Sequence, residues 1–146
     1  MTTLLLLLFT VVAGSFLPMQ AGVNARLAQF VGGPVRASMI SFGVGAIALF
    51  LVVLLFYRSE GHRASAAPWW AWVGGLLGAF YVTSTVVVPV RVGGAAFFGV
   101  LVAAQLVTSV ILDRLGAIGF PKHDLSPGRL IGVAMLIGGA VLVRVF

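Results

Sequence analysis

The residues of this sequence that could take part in chemistry are neutral polar side chains that stand within long apolar runs. Gln20 and Asn24 are four residues apart, a spacing that brings two side chains to one face of a helix. Hydroxyl groups gather around Tyr81 in the third apolar run, and Gln105 stands in the fourth. Amides and hydroxyls without fixed charge suit a neutral or zwitterionic solute, although Arg26 could hold an anion and aromatic faces a cation. We expect a substrate-binding site lined by Gln20, Asn24, Trp72, Tyr81, Ser84, Thr85 and Gln105, with Trp72 as an aromatic wall.

Each of these residues also has a purely structural interpretation. Amides inside a membrane often bind neighbouring helices, and tryptophans often form a belt at the membrane surface. Ser38 and Ser41 share a stripe of the second run, where serines commonly bond their own backbone, and we assign them to packing. Polar groups at membrane depth are costly unless bonded, which favours a functional site.

Pro18 stands in the first apolar run, two residues before Gln20. A proline lacks the backbone N–H and leaves the carbonyl of Gly14 without its helical partner. A glycine at that place makes unwinding easier, and broken helices in membranes usually line a cavity. We therefore expect a break in the first helix, with a simple proline kink as the alternative.

Acidic residues avoid the middle of every apolar run. Glu60 and Asp124 fall in connectors, and Asp113 falls at the end of a run beside Arg114, where it fits an interfacial or capping role. A transporter that exchanges protons against a cation usually needs a buried acid for which both compete. That mechanism is therefore disfavoured.

The sequence offers little for enzymatic or metal chemistry. Cysteine is absent, which excludes thiolate ligands and cysteine nucleophiles. His62 and His123 are single loop histidines without a second histidine at metal-binding spacing. His123, Asp124 and Ser126 resemble a hydrolytic trio, but the members of a triad meet in space and not by adjacency in sequence. We predict no enzymatic activity, no catalytic residue, no metal site and no cofactor.

The elements that must position the polar residues are long apolar segments. Of the 146 residues, 61% are hydrophobic and 8% are charged, so the solvent for most of the chain is lipid. A helix needs about 20 residues to cross a membrane, whereas a barrel strand would alternate over about 10. We predict an all-α membrane protein, a single domain over 1–146 with five transmembrane helices at about 3–22, 34–57, 68–89, 92–112 and 127–145. The first could instead be a secretory signal peptide, but no basic side chain precedes it.

Basic residues are spread almost evenly over the two sides that five crossings define. One side carries five of them: Arg58, Arg63, Arg114, Lys122 and Arg129. The other side carries four: Arg26, Arg36, Arg91 and Arg144. So small a bias fixes no orientation and predicts dual topology, with two copies forming a ten-helix antiparallel dimer. The net charge of +6 comes from scattered basic residues without interleaved aromatic residues, so we predict no nucleic-acid partner.

Several short motifs in order resemble the YdcZ-like family of bacterial inner-membrane proteins. They are LPMQAGVNARL at 17–27, ISFGVG at 40–45, WVGGLLGAFYV at 72–82, Gln105-Leu106, DRLG at 113–116 and GRLIG at 128–132. The resemblance covers nearly the whole chain. Ala104 departs from it, because the family pattern has glycine before the glutamine.

The resemblance implies membership of the drug/metabolite transporter superfamily, at about half the length of its ten-helix members. It implies paired five-helix subunits, either an antiparallel homodimer or a pair of oppositely oriented paralogues, and it implies no settled substrate. We expect a secondary transporter subunit in a bacterial inner membrane that moves a small polar or amphipathic organic solute by alternating access. A dual-topology ion channel and a non-transporting accessory subunit are the alternatives.

Overall fold

The computed structural model describes residues 3–57 and 66–146. Within these ranges the regular structure is helical: α1 (Thr3–Val31), α2 (Pro34–Phe56), a 3₁₀ segment (Trp69–Val73), α3 (Gly74–Val87), α4 (Pro89–Val92), α5 (Gly94–Leu115) and α6 (Pro127–Val145). Five helical stretches there are long and apolar enough to cross a membrane, with bounds Thr3–Val31, Pro34–Phe56, Trp69–Val92, Gly94–Leu115 and Pro127–Val145. The prediction of an all-α protein with five spanning helices is confirmed. Arg58, Glu60, His62 and Arg63 lie outside the described residues.

The first helix differs from the prediction in length and continuity. α1 runs unbroken through Pro18 and ends only at Val31, nine residues beyond the predicted end at 22. The expected break at Pro18 is therefore wrong, because the chain resumes helical bonding directly after the proline. Gly32 and Gly33, with φ of 82° and 130°, then turn the chain into α2. At about 1.5 Å per residue α1 is about 43 Å long, more than the roughly 30 Å thickness of a hydrocarbon core.

The helix that is interrupted is the one in the third span. It begins as the 3₁₀ segment, continues as α3, and loses its regular bonding at Val88 before α4 begins at Pro89. Pro89 has no N–H to donate to the carbonyl four residues earlier, that of Thr85.

The chain divides into two compact units at Val87 and Val88. The described part of the first unit, 3–57 and 66–87, contains α1, α2, the 3₁₀ segment and α3; the second unit contains α4, α5 and α6. A single five-helix domain over 1–146 stays a prediction.

In the first unit α1, α2 and α3 pack pairwise against one another. Their buried residues lie near the end of α1, the start of α2 and the end of α3. These three regions share one end of the unit, because consecutive spanning helices run in opposite directions. Residues 3–20 and 42–57 are exposed. The packed core of this unit is therefore confined to one end.

In the second unit α5 packs along α6 through small residues. Ala96, Ala103 and Ala140 are buried, and a Cβ atom on Gly99 would stand 3.5 Å from the Cα of Ala140. Such residues allow two helix backbones to approach closely in lipid. α5 ends at Gly116, which adopts the left-handed conformation with φ of 61°.

Candidate functional site

The register of α2 against α3 can be read from the close approach of the Phe42 ring on α2 to Gly78 on α3. A Cβ atom on Gly78 would lie 3.3 Å from Cζ of Phe42. α2 and α3 run antiparallel. The residue one turn before Phe42 on α2 therefore lies at the same level as the residues one turn after Gly78 on α3. Ser38 is therefore at the level of Tyr81 and Val82.

The turn at Gly32 and Gly33 sets a similar register between α1 and α2. Asn24 lies about 10 Å from the end of α1, and Ser38 about 6 Å from the start of α2, by the helical rise. The two residues differ in level by less than one helical turn. Asn24, Ser38 and Tyr81 thus come from three mutually packed helices at the same end of the unit; we call them the polar cluster.

Each member of the polar cluster has a buried side-chain atom that forms no hydrogen bond with the described residues. These atoms are Nδ2 of Asn24, Oγ of Ser38 and the hydroxyl of Tyr81. Asn24 and Ser38 are only 3% and 4% exposed. A buried polar group left without a partner costs about 1–3 kcal/mol. Such unsatisfied groups favour a site that binds a polar molecule.

Ser84 and Thr85 have their hydroxyl protons engaged within α3. Ser84 Oγ donates to the carbonyl of Tyr81 at 2.6 Å, and Thr85 Oγ1 donates to the carbonyl of Val82 at 2.7 Å. Thr85 is buried and Ser84 is half-buried. Both oxygens keep lone pairs, so toward a ligand these hydroxyls act as acceptors.

The remaining predicted site residues are exposed. The packed part of α1 begins at Ala21. Gln20 comes just before it, and the Gln20 side chain is exposed. Trp72, in the 3₁₀ segment, is 64% exposed. Gln105 is exposed on α5 in the second unit. Gln105 lies in the second unit and the other six residues lie in the first, where Asn24, Tyr81, Ser84 and Thr85 are buried or half-buried. The binding role of all seven stays a prediction.

Ser38 was not among the residues predicted to line the site. It was assigned to packing because serines usually bond their own backbone, yet its Oγ makes no such bond. The Gly32-Gly33 pair between the first two apolar runs was the sequence feature that could have pointed to Ser38. An antiparallel helix pair that turns at Gly32 and Gly33 brings the first turns of α2 to the level of Asn24.

A second group of polar residues joins α5 to α6. Arg129 Nη1 lies 3.4 Å from Asp113 Oδ2, and the backbone N–H of His123 donates to the carbonyl of Asp113 at 2.8 Å. Arg114 Nη1 lies 2.5 Å from Asp124 Oδ1, and both side chains are exposed. Asp113 therefore links the connector and α6 to the end of α5.

The three connector residues that resembled a hydrolytic trio have separate structural contacts. His123 Nδ1 lies 3.0 Å from the carbonyl of Pro121, Asp124 binds Arg114, and Ser126 Oγ accepts the backbone N–H of Arg129 as the cap of α6. Among the described residues no group of three or more His, Asp or Glu side chains could hold a metal ion.

Five apolar spans with neutral polar groups buried among them define a polytopic α-helical membrane protein. The chain belongs to the YdcZ family of inner-membrane proteins: residues 5–142 match the family described as "Putative inner membrane exporter, YdcZ". It is 34% identical to "Inner membrane protein YdcZ" of Escherichia coli (strain K12) over 142 residues, which cover 95% of this chain and 94% of that protein. The predicted family and the inner-membrane location are confirmed. No solved structure matches the chain.

Proposed function

We propose that this protein is a subunit of a secondary transporter of the drug/metabolite transporter superfamily, which moves a small polar or amphipathic organic solute by alternating access. The observation that carries the proposal is the polar cluster, with three buried atoms that lack hydrogen-bond partners on three packed helices. The exporter description of the family supports transport and fits a protein without enzymatic activity.

The polar cluster suits a transported solute better than a structural role. Interhelical hydrogen bonds would pair these groups with one another, yet the three buried atoms have no partner in the part of the chain that the structure describes. A solute that hydrogen-bonds to them would recover the energy that their burial costs. The buried apolar side chain of Val82, next to Tyr81 on α3, would accept the less polar part of an amphipathic molecule.

We further propose that two copies form an antiparallel homodimer, or that one copy pairs with an oppositely oriented paralogue. The near balance of five basic residues against four supports dual insertion. Two five-helix subunits in opposite orientations give the inverted repeat on which many secondary transporters depend for alternating access.

The test is transport by the purified protein alone in liposomes. A thermal-shift screen of small metabolites on the detergent-purified protein provides the compound, and its uptake is then followed with tracer. We expect saturable uptake that accelerates when the liposomes are preloaded with the same compound, and loss of uptake in Tyr81→Phe. Ser15→Ala is the control, because Ser15 is exposed and bonds only the carbonyl of Val11 at 2.9 Å.

The alternatives give different results. Flux that does not saturate and shows no counterflow would indicate a channel. Binding without any flux would indicate an accessory subunit.

A further inference from the structure

The hydrogen-bonding capacity of the first unit is specific enough to define a class of ligand. Nδ2 of Asn24 is an amide nitrogen, which donates hydrogen bonds and accepts none. It is buried and has no hydrogen-bond partner among the described residues, so a ligand that satisfies it must present an acceptor oxygen or nitrogen. The hydroxyls of Ser38 and Tyr81 are also unbonded, and each can either donate or accept.

The described charged side chains of this unit lie at its surface. In its described part, 3–57 and 66–87, Arg26 and Arg36 are the charged side chains, and both are exposed. Arg26 donates to Gln29 Oε1 at 2.6 Å and lies over the ring of Phe30, 5.0 Å from its centre. Arg36 Nη1 donates to the carbonyl of Val31 at 3.4 Å, at the end of α1. Both guanidinium groups are thus engaged at the turn between α1 and α2.

Among the described residues of this unit, a charged ligand at the polar cluster would therefore meet no buried counter-charge. Moving an ion out of water without an opposite charge costs far more than moving a neutral amide or hydroxyl. We infer that the polar cluster binds an uncharged solute that presents a carbonyl or similar acceptor to Asn24 and discriminates against organic cations and anions. This inference rests on the proposed function, and it specifies the class of solute bound at the same site.

The test uses matched compounds that share one ring and differ in charge. Nicotinamide is neutral and has a carbonyl acceptor, nicotinate is an anion, and 1-methylnicotinamide is a cation. Further trios of the same design, based on benzene and pyrimidine rings, vary the shape. Binding is measured by thermal shift and by tryptophan fluorescence on the detergent-purified full chain.

We expect the neutral members to stabilise the wild-type protein and the charged members to leave it unchanged. Asn24→Leu keeps the approximate volume and removes the donor, so binding of the neutral compound weakens about tenfold, the value of one buried hydrogen bond. Asn24→Asp replaces the donor with a carboxylate, so it binds the cation in place of the neutral compound. Ser15→Ala retains wild-type binding, because Ser15 is exposed on the same helix.

Two results would overturn the inference, and they differ in what they leave standing. If a cation or anion stabilises the wild type and Asn24→Leu abolishes that effect, charge selection is wrong while the solute site survives. If no compound stabilises the wild type and Asn24→Leu raises the melting temperature, the polar cluster binds no solute, and the proposed function fails with it.

Discussion

Phe42 on α2 lies against Gly78 on α3 so closely that a Cβ atom on residue 78 would be 3.3 Å from the ring carbon Cζ. Such a Cβ contact would be tighter than most, and the ring has space there because residue 78 has no side chain. The same contact brings Ser38 to the level of Tyr81, one turn away on each helix. The contact between Phe42 and Gly78 is therefore coupled to the arrangement of the polar cluster.

Enlarging Gly78 should destabilise the three-helix unit. We expect Gly78→Leu to cost about 1–3 kcal/mol, the usual cost of an overpacked contact, and to lower the melting temperature of the detergent-purified protein. Gly75→Leu is the matched control, because a Cβ atom there meets nothing within 4 Å and the helix gains the same intrinsic propensity. Combining Gly78→Leu with Phe42→Ala should recover part of the loss. Equal melting temperatures for the two single leucine variants would show that the ring moves aside freely.

Removing the amides predicted to bind solute should abolish transport without affecting insertion. We expect Asn24→Ala and Gln105→Ala to reach the membrane at wild-type levels and to lose uptake in proteoliposomes, because each removes a hydrogen bond to the solute. Asn24 is buried in the first unit and Gln105 is exposed in the second, so the two variants test the assignments separately. Normal transport by Gln105→Ala alone would restrict the site to the first unit. Normal transport by both variants would remove the site assignment.

The ion pairs between α5 and α6 should differ in their contribution to stability. Asp113 is 23% exposed and lies near Arg129, whereas Asp124 is 90% exposed beside Arg114. Water screens the second pair more strongly, so we expect Asp113→Asn to cost about 1 kcal/mol and Asp124→Asn less than about 0.5 kcal/mol. Chemical denaturation of the two variants and of the wild type measures the difference. A larger loss from Asp124→Asn would contradict this ranking.

The orientation of the chain can be read from a single cysteine. The sequence contains no cysteine, so Phe146→Cys introduces a unique label at a fully exposed position. Dual topology predicts that a membrane-impermeant maleimide labels one fraction of the molecules from outside and the remainder only after the membrane is opened. The control is a cysteine at the same end of a protein with one known orientation. Labelling from one side alone, with no paralogue expressed, would rule out the antiparallel homodimer.

The five spanning helices could be predicted because the length and hydrophobicity that define a membrane-spanning helix are local properties that add up residue by residue. Each apolar run reaches the length that a hydrocarbon core demands, and the transfer free energy of its residues depends little on neighbouring segments. Proline effects were less predictable. Pro18 and Pro89 each remove one helical hydrogen bond, but α1 continues through Pro18 while the third span is interrupted just before Pro89. A proline alone therefore does not determine whether a helix is interrupted.

The sequence alone determined the chemical character of the candidate site: neutral amides and hydroxyls, with the acids kept to connectors and helix ends. Only the tertiary structure decided which of these groups are buried. Gln20 and Asn24 share a helix face by spacing, yet Asn24 is enclosed and Gln20 is exposed, because packing against α1 begins only at Ala21. Ser38 became part of the polar cluster for the same reason. Burial depends on which helices cover a side chain, and that is a property of packing between helices that no single segment contains.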